Sequence, residues 1–308
     1  MTGYVENRRG ERWTLPVLTA WELRRTDGDP CGAFTVRFAA DGGAAEILKG
    51  AETFQAEEDG KTCFTGVVDE CTVTLDGGGL TAEITGRDLS ARLLDSQCRA
   101  AEFLSAQLED ILSRYVRPCG ITKIRTDNLP AVPNFAVQTG DTCWQALAGY
   151  CRHAAEVYPR FSADGTLLLE RRPAGRQLVL TMANGPTAVQ LRETRYGVIS
   201  EQTVLDFTRK SVEQVGNPDF DGLCRKVTAR SGKTLKADWR TAAQRIADSQ
   251  RNRTALEVTV PGGFAAEPWD RISVSFPELG VLGGFLVAEA VTRLDGRGLQ
   301  TALSLRTE

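Results

Sequence analysis

His153 is the one histidine of the chain, and imidazole is the side chain that most readily moves protons near neutral pH. It falls one position past the apolar stripe of a helix-spaced run, which predicts an exposed or core-edge place rather than a catalytic one. Paired carboxylates are the next candidates for acid–base work. Asp69 and Glu70 are neighbours on an alternating segment, and adjacent strand residues point to opposite faces, so they share no site. Glu57, Glu58 and Asp59 form an acidic turn before Gly60. A glycosidase needs two carboxylates about 5–10 Å apart in a cleft, and nothing here nominates such a pair. The eight cysteines, Cys31, Cys63, Cys71, Cys98, Cys119, Cys143, Cys151 and Cys224, include no C-x-x-C pair and no adjacent second ligand. They read as small buried hydrophobes. Gly77-Gly78-Gly79 sits in a hairpin rather than at a helix start, so it is no phosphate cradle. H-E-x-x-H, a nucleophile elbow and G-x-G-x-x-G are all missing. The chain is therefore expected not to be an enzyme, with no catalytic, cofactor-binding or metal positions and no cofactor.

Composition narrows the remaining classes. The 308 residues allow two or three domains with real cores, and 42% apolar with 25% charged residues is ordinary for a globular protein. A formal net charge of −3 with isolated Arg pairs (Arg8-Arg9, Arg24-Arg25, Arg171-Arg172) argues against a dedicated nucleic-acid binder. No apolar run approaches a membrane span, and the polar start MTGYVENRRGERW has no signal-peptide core. The expectation is a chain made in the cytoplasm, with no membrane anchor. Aromatic residues are 7% and scattered. A sugar- or receptor-binding module would have to use residues such as Trp13, Trp21 and Trp269.

The elements that would position any site follow from periodicity. Residues 1–100 read as short alternating strands, Ala20–Arg25, Phe34–Phe38, Phe54–Glu57, Phe64–Leu75 and Leu80–Thr85, separated by Asp/Gly/Pro clusters, as in a barrel or sandwich. The last two flank an Asp-Gly-Gly-Gly turn, because glycine supplies the positive φ of a tight hairpin. Gly86-Arg87-Asp88 then leads into a short apolar-periodic piece, Leu89–Leu94, with Asp88 placed to accept backbone N–H bonds.

From residue 101 the pattern changes. Phe103, Leu104, Leu108, Ile111, Leu112, Tyr115 and Val116 predict a helix stopped by Pro118 and Gly120. A second helix follows Gln138-Thr139-Gly140-Asp141-Thr142, with Asp141 or Thr142 as its cap and Trp144, Leu147, Ala148, Cys151 and Ala155 on its inner face. A strand pair over Tyr158–Ser162 and Thr166–Arg171 completes a small α/β module over 101–176. Strands return in 177–308: Gln177–Thr181, Ala188–Glu193, Val198–Phe207, Lys226–Ala229, Ala255–Val260, Asp270–Phe276, and the hairpin Gly284–Leu294 with Leu299–Arg306. A third helix is predicted over Ala237–Arg251 with Trp239, Ala242, Ala243, Ile246 and Ala247 facing inward. The two β-rich ends could be copies of one fold, although no residue-level repeat stands out.

Several motifs in this order resemble one family. They are Trp21-Glu22-Leu23 with Phe34–Phe38, Phe64-Thr65-Gly66-Val67-Val68 (an F-x-G-x-V pattern), Gly86-Arg87-Asp88 through Leu94-Asp95-Ser96, Q-T-G-D-T followed by Trp144 and Leu147, Asp164-Gly165-Thr166-Leu167, and Pro277-Glu278-Leu279-Gly280 with Phe285-Leu286-Val287. Together they are similar to the baseplate hub proteins of contractile phage tails, prophage particles and tailocins, including the late-control gene-D proteins and hubs of Gram-positive prophage tails. The structural motif residues of the resemblance are Phe64, Gly66, Gly86, Arg87, Asp88 and Asp95.

The resemblance implies a mainly β fold with an α/β insertion, two tube-like β-barrel domains (1–100 and 177–308, the second with one helix) flanking the module at 101–176. It implies a homotrimeric ring whose six barrels adapt a six-fold tail tube to a three-fold central spike. Expected partners are further copies of the chain, the tail tube protein and the central spike protein, with the tape-measure and baseplate wedge proteins beside them and no specific nucleic acid. The expected place is the cytoplasm during assembly and then the virion or released particle. The alternatives are a distal-tail or spike-base component of such a particle and, from a different class, a cell-wall hydrolase.

Overall fold

The computed structural model describes residues 1–307 apart from 27–30, 207–209, 223, 232–241 and 252. The N-terminal segment contributes β1 (Thr2–Asn7), β2 (Arg12–Thr14), β3 (Leu18–Thr26), β4 (Ala33–Ala39), the short α1 (Ala44–Lys49), β5 (Ala51–Glu58), β6 (Lys61–Asp76), β7 (Gly79–Asp88) and α2 (Ala91–Leu94). The middle carries β8 (Ala101–Ala106), α3 (Leu108–Ile111), β9 (Ile124–Thr126), β10 (Val132–Val137), α4 (Cys143–Ala155), β11 (Arg160–Phe161) and β12 (Leu167–Leu169). The remainder supplies β13 (Gln177–Thr181), β14 (Ala188–Glu193), β15 (Glu201–Asp206), β16 (Ser211–Gly216), β17 (Lys226–Ser231), α5 (Ala242–Arg251), β18 (Thr254–Pro261), β19 (Arg271–Phe276), β20 (Val281–Asp295) and β21 (Gly298–Thr307). Alternation predicted most of these strands. It missed β1 and β2, which lie in a stretch rich in charge, β8, β9 and β10, which fall where a helix and a loop were expected, and β16, whose residues are almost all exposed.

The mainly β class with an α/β insertion stands, but the two β-barrels do not. Except for β15, β16 and β17, which form a separate sheet in the order β16-β15-β17, the strands of both ends join one 13-stranded sheet whose main path runs β14-β18-β21-β20-β3-β4-β7-β6-β5-β1-β2, with β19 and β13 branching from β20. Among the described residues no sheet closes on itself. The reason is the partner that β3 takes. Instead of curling back within the N-terminal segment, β3 pairs antiparallel with β20, Thr292 opposite Leu23 and Leu294 opposite Trp21. That pairing consumes the edge a barrel would need for closure. The two ends thereby merge into a single open sheet.

Pairing registers reveal the residue-level repeat that inspection of the sequence missed. In the β6–β7 hairpin Asp76 pairs with Gly79, Leu75 with Leu80 and Val67 with Arg87, with a bulge between Val68 and Glu70. In β20–β21 Asp295 pairs with Gly298, Leu294 with Leu299 and Leu286 with Arg306, with a bulge between Val287 and Glu289. Both turns read L-D-G-x-G-L. In each the Asp carboxylate accepts an N–H two residues on, from Gly78 at 2.8 Å and from Arg297 at 2.8 Å, and the closing Gly79 and Gly298 have φ of +110° and +97°. The correspondence continues outward. Arg87 faces Ala33 on β4, which faces Arg24 on β3; Arg306 faces Ala255 on β18, which faces Arg192 on β14. So β3-β4-β7-β6 and β14-β18-β21-β20 are two half-sheets of one pattern.

Three cores hold the molecule. One lies under the first half-sheet, around Phe34, Phe38, Phe54 and Ile84; another under the second, around Leu256, Ile272, Phe276 and Leu303; the third belongs to the middle, around Phe135, Leu147, Tyr150 and Leu169. In the middle, the helix predicted to begin near Phe103 starts only at Leu108. Phe103 and Leu104 lie on β8, which pairs with β10, and the i, i+4 pair Leu104–Leu108 spans strand and helix, with Leu104 exposed. The Gln107 N–H donates to the Asp110 carboxylate (2.8 Å), setting the true start. The segment passes through a π-helical turn, Leu112–Val116, and ends at Pro118 and at Gly120, whose φ is +79°. For α4 the cap is Thr142. Its hydroxyl accepts from Gln145 N–H at 3.1 Å while the Gln145 side chain accepts from Thr142 N–H at 2.8 Å. The inner face predicted for the third helix is present in part as buried Ala242 and Ile246, whereas Trp239 lies outside the described residues.

Candidate functional site

The motif residues Phe64, Gly66, Gly86, Arg87, Asp88 and Asp95 come together where β6, β7 and α2 meet. Gly86 lies opposite Val68 at the bulge, and Gly66 lies opposite Asp88. Neither glycine needs its conformational freedom; both are required by closeness. A Cβ on Gly86 would lie 1.9 Å from the Val67 carbonyl oxygen and 2.6 Å from the Phe34 ring, and one on Gly66 would lie 2.3 Å from the Arg87 carbonyl oxygen. Phe64 is buried and tilts against Phe34 at 5.6 Å between ring centroids, while Phe34 stacks on Phe54 at 4.2 Å. The backbones thus approach across a crowded aromatic cluster.

Arg87 is a double clamp. Its guanidinium donates to both Asp69 oxygens (2.7 and 2.9 Å) and to both Asp95 oxygens (2.7 and 3.1 Å). It ties the bulge of β6 to the end of α2. Bidentate pairing of this kind fixes geometry as well as adding energy. The hydrogen bonds that Arg87 donates to Asp69 and Asp95 raise its pKa still further above its ordinary value, and the Arg87 guanidinium holds the Asp95 carboxyl below the usual carboxylate range. The sequence offers Asp69 only as an acid–base candidate beside Glu70; its placement in the bulge makes it instead the partner of Arg87.

Asp88 does accept backbone N–H bonds, although the residue at the helix cap is Ser90. One oxygen accepts from Gly32 N–H at 2.7 Å, just before β4; the other accepts from Ser90 N–H at 2.9 Å and from the Ser90 hydroxyl. Burial pushes its pKa up, opposed by these bonds and by Arg87. Removing the acceptor in Asp88→Ala leaves the Gly32 and Ser90 donors without their partner and should cost about 2 kcal/mol. Asp88→Asn keeps one acceptor oxygen but turns its NH2 onto the second donor, so it should recover only about half of that loss. Urea unfolding midpoints of the two variants check this, and equal losses would show that the charge rather than the bond matters.

The arrangement joins elements and brings together no reacting groups. A cleft of about 510 Å³ opens beside it, lined by Arg25, Phe64, Asp88, Trp144, Arg160 and Trp269 among others. Its guanidiniums are turned onto acids: Arg25 on Glu267 (3.7 Å), Arg160 and Arg125 on Glu170 (3.5 and 2.6 Å). Among the described residues no group of three or more His, Cys, Asp or Glu could hold a metal. His153 sits half-buried at the edge of the middle core, its ring edge-on to Phe135 at 6.4 Å. Cys98 and Cys143 approach to 3.7 Å between sulfurs in that core. Burial pushes both thiols up, Cys98 to about 11, and Cys151 likewise to about 12, which disfavours the reactive thiolate. Trp13 and Trp21 pack against the first core, and Trp269 lies near the Arg172 and Arg306 guanidiniums at 5.1 and 5.7 Å. No helix among the described residues is long and apolar enough to cross a membrane.

Residues 90–171 match the family described as baseplate hub protein gp44-like, second domain. No curated protein matches the sequence at a significant level. Solved structures match over the full length. A tail protein from Neisseria meningitidis MC58 is similar at TM-score 0.78 and 20% identity, covering 100% of this chain and 96% of that one. The 43 kDa tail protein of prophage MuSo2 from Shewanella oneidensis is similar at 0.75 and 18%, covering 99% and 97%. The prophage tail protein gp18 from Listeria monocytogenes EGD-e is similar at 0.64 and 11%, covering 100% and 95%. At these identities the likeness is one of fold.

Proposed function

Since the chain carries a gp44-like baseplate hub domain over residues 90–171 inside a fold shared with prophage tail proteins, we propose that it is a structural baseplate hub of a phage tail or tail-like particle, without catalytic activity of its own. The observation that carries this is the conjunction: a hub-domain match over residues 90–171, which covers most of the middle module and the α2 junction before it, and tail-protein folds matched across the whole chain. The finer proposal is a homotrimeric ring lying between a six-fold tail tube and a three-fold spike. The internal repeat supports it, because three copies would present six related half-sheets to the tube while keeping three-fold symmetry for the spike. A division into units at 1–100, 101–176 and 177–308 belongs to the same proposal. In it the middle module forms its own core and the flanking units share the large sheet. The partners are the tail tube and spike proteins, with assembly in the cytoplasm before incorporation into the particle.

The native mass of the purified chain tests the proposal. A particle of three times 33.5 kDa, ring-shaped in averaged electron micrographs, is expected. A chain that stays a monomer both alone and with the spike protein of its own particle would overturn it, and a distal-tail role would then account better for the fold.

A further inference from the structure

Two buried thiols of the middle core have no part in the proposed role. Cys98 and Cys143 flank the bridge at which Gln97 pairs antiparallel with Thr142. The Cys98 N–H donates to the Asp141 carbonyl and the Cys143 N–H to the Ser96 carbonyl, both at 2.8 Å. These reciprocal bonds fix the two backbones where the chain leaves α2 and where α4 begins. Both side chains turn into the middle core, 8% and 5% exposed, and their sulfurs stand 3.7 Å apart. A disulfide bond is about 2.04 Å long, so the sulfurs have to close by about 1.7 Å, which side-chain rotation supplies while the backbone bonds hold.

A third thiol touches the pair. Cys119, at the turn that ends the π-helical segment, interacts with the Cys98 and Cys143 sulfurs and donates to the Tyr115 carbonyl at 3.4 Å. It is half-buried, and so the most exposed of the three.

We propose that Cys98 and Cys143 are a redox-active pair: a dithiol during assembly, and a disulfide that locks the middle module once the protein meets a low-molecular-weight disulfide outside the reducing cytoplasm. The timing rests on the reading of the chain as part of a released tail particle; the bond rests on the geometry alone. Two cysteine S–H bonds and the S–S bond of the oxidant give way to the Cys98–Cys143 bond and two reagent thiols. Each cysteine sulfur gives up one electron, the two electrons reduce the oxidant, and the two protons pass to the released thiols. Cys119 is the entry. Its mixed disulfide is attacked by Cys143, which releases the second reagent thiol; Cys98 then attacks the Cys143 sulfur and frees Cys119. Burial keeps the thiolate fraction of the pair low, so the bond forms slowly, and the reducing cytoplasm keeps it open through assembly. Once formed, it closes a loop that contains β8, α3, β9 and β10, and the unfolded module loses freedom that the folded one does not have. It also ties the chain just beyond Asp95, where the Arg87 clamp ends, to the start of α4.

Oxidation of the purified full chain with oxidised glutathione, followed by peptide mapping without reduction, tests the pair. A link between the peptides that carry Cys98 and Cys143 is expected, absent from Cys143→Ala and formed several-fold more slowly in Cys119→Ala. The thermal midpoint should rise by about 5 °C or more on oxidation and return with dithiothreitol. Cys143→Ala, compared with itself before and after the same treatment, should show no such rise. Equal rates in Cys119→Ala would overturn the entry through Cys119. Cys98 and Cys143 thiols that stay reduced while the exposed Cys224 is consumed, or a bond that lands on a different pair, would overturn the proposal. So would a Cys98–Cys143 bond that leaves the midpoint where it was. The native mass is a separate readout: a trimer without the bond keeps the hub reading, and a locked chain that stays a monomer with its spike loses it.

Discussion

Gly86→Val should destabilise the protein by about 4 kcal/mol or more, beyond the usual cost of overpacking. The expectation rests on what a side chain would strike. The nearest atom to a Cβ at this position is the Val67 carbonyl oxygen at 1.9 Å, and the next are ring carbons of Phe34 at 2.6 and 2.8 Å. The oxygen belongs to the neighbouring strand, so relief requires separating β6 from β7 rather than turning a rotamer. Phe34 has no room to yield, since it is buried and stacked on Phe54. The damage should spread to the Arg87 clamp one residue on, and with it to the joint between the sheet and the middle module. Gly77→Ala in the hairpin turn is the matched control. Nothing lies within 4 Å of a Cβ there and its φ is not positive, so the change should be close to neutral. Urea midpoints of the two variants give the comparison. A Gly86→Val protein within about 1 kcal/mol of the parent would mean that the strand pairing at the bulge is more compliant than the packing implies.

The hairpins, the F-x-G-x-V strand and the G-R-D junction were legible in the sequence because each depends on local rules: alternation, turn glycines and a carboxylate two residues from the N–H it binds. The cap of α4 was legible for the same reason. What escaped depends on partners distant in the chain. Nothing near Leu23 announces that it will face Thr292, so the junction that merges the two ends into one sheet was invisible, and separate barrels were the natural expectation. The helix predicted from Phe103 failed at its start because β10, which captures Phe103 and Leu104 as a strand, lies some way downstream. The internal repeat escaped because identical residues are few. Leu75, Asp76, Gly79 and Leu80 recur as Leu294, Asp295, Gly298 and Leu299, but only the shared register and the shared bulge show that the likeness is structural. The motif residues were picked out by pattern, while Asp69, which gives Arg87 its partner, carries no pattern of its own.

Asp270 is the clearest case of a group with no sequence signal and a large expected effect. Its side chain is only 6% exposed and accepts from Arg176 N–H at 3.0 Å, from Glu267 N–H at 2.8 Å and from the Arg176 guanidinium. These bonds fasten the start of β13 to the start of β19, where the second half-sheet branches from its main path. Asp270→Ala leaves two backbone donors without their acceptor, each a loss of about 1–2 kcal/mol, so the total should be about 3 kcal/mol. The Arg176 side chain adds little to this, because it is half-exposed and water can take up its charge. Burial alone would push the Asp270 carboxyl up, but Arg176 and the two amides outweigh it and hold the group below the usual carboxylate range. The folded pKa therefore lies under the unfolded value, and the stabilisation is complete above about pH 4. It is lost as the pH falls further, through the folded value. The difference in unfolding free energy between parent and Asp270→Ala should accordingly be constant from neutral pH down to about 4 and shrink below it. A gap that held its size into stronger acid would show that geometry, rather than the ionised carboxylate, accounts for the loss.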